Sequence, residues 1–234
     1  DVYKRQDEYH GLSIAGPNSR KVLEKIVRDD VSNEKFKFRD SRRMFVGGVP
    51  AIINRISFTG ELGYEIYVAP HYQLKLYEEL MEAGKEFNIK PFGGRALMSM
   101  RLEKNWGAWT LDYRPDFTAK ETGLDAFINW DKEFIGKESA QKENSSNKLV
   151  PLIVETNEID VTNNEAVLNG DQSIGYVTSG GFAHFVNKSV AFTFVDQKKI
   201  KSENKIQVEI NGDLFNCSII KEPLYDPSGQ KMRS

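Results

Sequence analysis

A single cysteine, Cys217, stands among 234 residues, which excludes an internal disulfide framework and any zinc or iron–sulfur site built from several thiolates. Histidine is nearly as scarce. His10, His71 and His184 show no ligand spacing, so no metal is expected. Neither sign of charge dominates: 32 basic against 34 acidic residues leave a net charge of −2, without the footprint that nucleic acid or an anionic membrane surface demands. No apolar run approaches the roughly 20 residues that span a bilayer, and the start lacks the basic-then-apolar layout of a secretory signal. A soluble protein of a reducing compartment is expected, with the cytoplasm as its location.

What is present suffices for a large core, and the length allows two domains. His10–Ala15 reads as a strand, turned by Gly16-Pro17-Asn18-Ser19 into a helix with Val22, Leu23 and Ile26 at helical spacing that ends near Asp29. Residues 44–49 and 51–57 read as paired strands around Gly47-Gly48-Val49-Pro50. Residues 72–87 carry Leu74, Tyr77, Leu80 and Met81 at three- and four-residue steps, and 93–104 form a further helix that offers Leu97, Met100 and Leu102 for burial. An α+β layer follows.

Beyond Lys104 come an aromatic loop, Trp106-Gly107-Ala108-Trp109, and an alternation of Leu124, Ala126 and Ile128. Phe134-Ile135-Gly136-Lys137 opens a short polar helix, and the polar run 137–148 reads as a linker. Short strands at 149–155, 173–178, 189–194, 206–210 and 214–220 then predict a small all-β barrel or sandwich, with a turn at Gly180-Gly181. Cys217 alternates within the last of these and reads as a small apolar residue.

The first six residues, Asp1-Val2-Tyr3-Lys4-Arg5-Gln6, fit no neighbouring element. Back-translated as GAT GTG TAT AAG AGA CAG, they reproduce a transposon end used in preparing sequencing libraries. They are read as a sequencing artefact, and fold reasoning starts at Asp7. The domains expected are 7–147 and 148–234.

The most informative stretch is Ser57-Phe58-Thr59-Gly60-Glu61-Leu62-Gly63-Tyr64-Glu65-Ile66. Its glycines permit a tight turn, and the period-two rule then sets Tyr64, Ile66 and Val68 on one face and Gly63, Glu65 and Tyr67 on the other. Glu65 therefore projects away from the aliphatic side. The segment resembles the folate-binding signature of the aminomethyltransferase (glycine-cleavage T-protein) superfamily. So do Gly11–Asn18, Arg101-Leu102-Glu103 and Val177-Thr178-Ser179-Gly180. More narrowly, residues 95–104, the Trp106–Trp109 loop, Gly123-Leu124-Asp125, residues 131–136 and Pro223-Leu224-Tyr225-Asp226-Pro227 resemble the C-terminal half of dimethylglycine and sarcosine dehydrogenases.

That resemblance implies a partial folate-binding domain followed by a C-terminal β-barrel, with tetrahydrofolate as the one-carbon acceptor and FAD on an N-terminal domain. Glu65 would grip the pterin, its acceptor-only carboxylate suiting a ring N–H and an amino group side by side. Phe58, where the family commonly has tyrosine, would stack on the ring. Arg95, Trp106 and Tyr225 are weaker candidates, each balanced by a packing or solvated reading; Trp109 shares that of Trp106. The family's catalytic aspartate falls upstream of the strand matching His10–Ala15, so the fragment is expected to be inactive. Leu97 stands where stand-alone T-proteins have arginine, favouring the dehydrogenase branch over a stand-alone aminomethyltransferase or a non-catalytic folate-binding module. The substrates implied are folate and N-methylglycines. No motif specifies the electron acceptor.

Overall fold

The computed structural model describes residues 7–156 and 159–234, so the six leading residues lie outside the described part. By Cα proximity the chain forms two compact units. One runs through Leu97 and takes back Asp226–Ser234; the other is Met98–Tyr225.

The first unit contains strands β1 (His10–Ala15), β2 (Ser41–Val46), β3 (Val49–Asn54) and β4 (Gly63–Val68), joined antiparallel in the order β1-β4-β3-β2. Helices α1 (Ser19–Ile26) and α2 (Gln73–Gly84) cover one face. Their residues Val22, Leu23, Leu76 and Leu80 share a buried cluster with Ile53, Tyr64 and Ile66, the face that period two assigned to β4. The β2–β3 turn is tighter than the sequence suggested. It uses only Gly47-Gly48, and Val49 and Pro50 enter β3 opposite Val46 and Phe45. Pro50 is tolerated near the start of the strand, where its missing N–H interrupts the ladder least.

Helix α3 (Gly94–Glu103) crosses the division between the units. Of its three expected core residues only Leu102 is buried; Leu97 and Met100 are half-buried. The stretch that follows is held by backbone turns, such as Asp112 N and Tyr113 N to Ala108 O, and by side chains that bond the backbone, rather than by ladders. A capping box starts α4 (Ala119–Thr122): Thr118 and Glu121 each accept the other's backbone N–H. The alternation at Leu124, Ala126 and Ile128 is not a strand. Leu124–Phe127 is a 3₁₀ turn, and no neighbouring strand among the described residues offers it a ladder. The expected linker is also regular, being α5 (Lys137–Lys142) and the start of the next strand.

Six strands then close an antiparallel barrel: β5 (Asn147–Val154), β6 (Ala166–Asn169), β7 (Gln172–Ala183), β8 (Lys188–Asp196), β9 (Ile206–Ile210) and β10 (Asp213–Ile219), in the order β10-β5-β8-β7-β6-β9. Closure removes the edges an open sheet would expose. Leu152, Val167, Ile174, Val177, Val195 and Val208 belong to its buried core. Gly180 and Gly181 do not form a turn but run inside β7, paired with Ala191 and Val190. The β7–β8 register shifts between Val177 and Ser179, a bulge at Thr178. Cys217 packs half-buried against this core, and burial pushes its thiol up to about 12, which leaves no thiolate at neutral pH.

Candidate functional site

The turn that presents the candidate carboxylate is built from short side chains. Ser57 Oγ accepts from Gly60 N at 3.0 Å and Thr59 Oγ1 from Glu61 N at 3.2 Å, while Gly60 takes φ +84°, a conformation other residues rarely adopt. Leu62 O accepts from Gly16 N and from Ser19 Oγ, each at 2.9 Å, tying this turn to the β1–α1 turn. A Cβ on Gly63 would stand 3.0 Å from Ile56 O and 3.3 Å from Ile14 O, so the strand starts where only glycine fits closely.

From there Glu65 projects from the sheet face opposite the helices. Its register neighbours are Ser13 on β1 and Asn54 on β3, making a polar row across three strands. Tyr67, two residues along on the same face, donates its hydroxyl to Glu65 Oε2 at 2.6 Å. Its ring lies over Gly11, where a Cβ would meet Tyr67 Cε1 at 3.1 Å. One carboxylate oxygen is thus oriented by Tyr67, and the other is free to accept further N–H donors.

The carboxylate acts back on the tyrosine. Its hydrogen bond, then burial, push the Tyr67 hydroxyl up to about 12 from an ordinary 10. Because the folded-state value is the higher one, the stability this contact supplies is intact below pH 10 and is lost as pH rises toward 12. Burial raises Tyr64 and Tyr113 as well, so spectrophotometric titration of the native protein is expected to show incomplete tyrosine ionisation at pH 11, and Glu65→Gln to increase the tyrosinate formed there; a titration curve unchanged by that substitution would contradict the contact.

The other candidates are placed as follows. Phe58 is half-buried in the turn before β4, in the same unit as Glu65, and Arg95 is exposed in the first turn of α3. Leu97 lines a groove of about 520 Å³ in this unit with Leu12, Ile14, Tyr77, Phe87 and Phe92; Glu65 does not line it. Trp106 and Tyr225 belong to the second unit. Trp106 is half-buried with Lys104 Nζ 5.9 Å from its ring, Trp109 is exposed, and Tyr225 meets the Phe185 ring edge-on at 4.9 Å.

Sequence reasoning missed two arrangements. Tyr67 was legible as a face-mate of Glu65 but not as its hydrogen-bond donor. In the second unit, fully buried Asp112 accepts from Arg101 Nη1 at 2.6 Å, Ala108 N at 2.8 Å, Ser179 Oγ at 2.7 Å and Thr178 Oγ1. Arg101, equally buried, also donates to Trp106 O at 3.1 Å. These bonds set the Trp106–Tyr113 loop. The signal was the arginine within Arg-Leu-Glu; its acidic partner, eleven residues on, carries no spacing rule.

Comparison with known proteins agrees with this architecture. The family model described as GCVT N-terminal domain matches residues 1–132, and that of the glycine cleavage T-protein C-terminal barrel domain matches residues 147–226. The chain belongs to the glycine cleavage T-protein superfamily. Within it, the chain is 36% identical over 229 residues to mitochondrial dimethylglycine dehydrogenase of Mus musculus, which covers 96% of this chain and 26% of that protein. It is 31% identical over 236 residues to the aminomethyltransferase of Thermoanaerobacter pseudethanolicus, covering 99% of this chain and 63% of the other. The crystal structure of glycine cleavage system aminomethyltransferase T from Bartonella henselae superposes with a TM-score of 0.81 at 22% identity, over 94% of this chain and 60% of that one, and establishes the shared fold. The chain therefore spans about a quarter of the dehydrogenases and under two thirds of the aminomethyltransferases it matches. No helix among the described residues is long and apolar enough to cross a membrane, and no group of three or more metal-ligating side chains occurs among them. The dimethylglycine dehydrogenases are described as mitochondrial, which bears on the expected cytoplasmic location.

Proposed function

We propose that this chain is the tetrahydrofolate-binding, one-carbon-accepting part of a flavin-dependent dehydrogenase of dimethylglycine or sarcosine. The observation that carries the reading is the Glu65 carboxylate on the face of the sheet away from the helices, one oxygen held by Tyr67 and the other able to accept a pterin N–H. Phe58 would pack on the ring, with Arg95 as a further contact from the same unit. On this reading residues 7–147 form the folate-binding part, residues 148–234 the barrel domain, and residues 1–6 are extraneous. The match to dimethylglycine dehydrogenases across 96% of the chain supports the dehydrogenase branch, as does Leu97 in an apolar groove where a stand-alone transferase would need a polar contact.

Chemically, this part holds and orients. Fixing the folate against an oxidised N-methyl carbon supplies a proximity advantage of up to about 7–11 kcal/mol. The proton-handling aspartate of the family has no counterpart in these residues. No Gly-x-Gly-x-x-Gly occurs in the sequence either, so these residues do not fit a flavin and no redox step is assigned to them.

The decisive experiment purifies the polypeptide encoded by the whole gene and records its absorption spectrum with and without dimethylglycine and sarcosine. A flavin spectrum bleached by either amine is the expected result. A colourless protein that transfers an aminomethyl group from a lipoyl carrier would replace this reading with that of a stand-alone aminomethyltransferase, which 31% identity over nearly the whole chain keeps in view. A colourless protein that binds folate without turnover would make it a binding module.

A further inference from the structure

A cleft of about 500 Å³ opens in the second unit between α4, the 3₁₀ turn at Leu124–Phe127 and α5. Ala119, Ile128, Trp130 and Ala140 give it apolar walls. Trp130 is 37% exposed, so its ring is open to a ligand, and Phe134 braces it, tilted against it with 6.1 Å between ring centroids. Volume and lining are those of a small-molecule site, and none of these residues belongs to the Glu65 site.

The charges lining the cleft, on Lys120, Asp125 and Glu143, are uneven. Lys120 Nζ donates to Glu143 O at 2.6 Å, and Glu143 Oε1 accepts from Thr118 Oγ1 at 2.8 Å, so both of these side chains are engaged. The half-buried Asp125 carboxylate has no hydrogen bond or ion pair among the described residues, and the nearby Lys137 and Lys142 are already paired with Glu133 and Glu138. Two carboxylates against one ammonium leave the cleft negative. A strongly hydrated inorganic cation gains little beside apolar walls. A methylated ammonium keeps a charge for Asp125 and presents methyl groups to Ile128 and to the Trp130 face, whose quadrupole attracts a cation. We propose that this cleft binds a small methylated ammonium compound, with Asp125 as its counter-ion and Trp130 as its aromatic wall.

The probe is tetramethylammonium chloride, titrated at an ionic strength held constant with sodium chloride while the Trp130 indole and Asp125 amide resonances are followed. Saturable shifts with a Kd of roughly millimolar order are expected, the scale that a ligand of so few atoms reaches. Asp125→Asn leaves size and packing in place, so its effect reads the charge alone; it should weaken binding about ten-fold, and Trp130→Leu about five-fold. Glu65→Gln should leave the affinity unchanged, which separates this site from the folate reading. Shifts that grow linearly without saturating, or either variant of the cleft binding within about two-fold of the parent, would overturn the proposal. Potassium bound as tightly as tetramethylammonium would show a plain cation site and overturn it as well.

Discussion

Replacing Glu65 with glutamine is expected to weaken tetrahydrofolate binding by roughly 10- to 150-fold, the equivalent of about 1.5–3 kcal/mol for a hydrogen bond to a charged group. Glutamine keeps the size and one acceptor but turns an N–H toward the donors that the carboxylate received. Stability should change by less than about 0.5 kcal/mol, because the side chain is half-exposed and glutamine can still accept from Tyr67. Calorimetric titration of both proteins, with urea unfolding as the control, separates the two effects. An affinity within two-fold of the parent would remove Glu65 from the site and with it the main support for the folate reading.

Asp112→Ala tests the other conspicuous carboxylate, with the opposite expected pattern. Both Asp112 and Arg101 are fully buried, so removing the anion strands a guanidinium whose Nε and Nη2 already lack partners, together with the hydroxyl of Ser179, while Thr178 Oγ1 keeps Phe192 O as an acceptor. Breaking one side of such a pair costs about 3–5 kcal/mol, a large part of the roughly 5–15 kcal/mol that holds a domain together. Successive strand residues normally face opposite ways; the bulge at Thr178 is what lets two neighbouring hydroxyls reach one carboxylate. Arg101→Met combined with Asp112→Ala should therefore recover much of the loss, since the uncompensated charge is gone. A single substitution costing under 1 kcal/mol by urea unfolding would mean that water reaches the site and that the network is not what sets the Trp106–Tyr113 loop.

Legibility of the structure in the sequence followed the range of the interactions involved. β4 was readable because its burial is a local alternation, and α1 because its apolar steps match the helical period; α2 was placed, but its inner face was misjudged, since Leu74 and Tyr77 are exposed and Leu76 is fully buried beside Leu80. β6 was missed: Ala166–Asn169 is only four residues long, too short for an alternation to show, and is fixed as a strand by its pairing to β7 and β9. Gly180-Gly181 was misread because a local turn signal was overruled by the β8 ladder. Between residues 105 and 136 the backbone is organised by single polar side chains such as Asp112, Thr118 and Glu121, which have no period to detect. For the candidate site, Glu65 was legible from motif and alternation together. Tyr67 was overlooked because a hydrogen bond along one strand leaves no mark beyond shared parity.

The return of Asp226–Ser234 to the first unit sets an order of events during synthesis. The sheet and its two helices leave the ribosome before the barrel, and the segment whose Ser234 oxygen accepts from Arg55 is made only after all six barrel strands. A nascent chain paused within the barrel would therefore carry a nearly finished first unit in which Arg20 Nη2 and Arg55 Nη2 lack the Ser234 acceptor, a state open to chaperones. The contact from Arg20 to Ser234 spans 214 residues, and such distant closures are the slow ones.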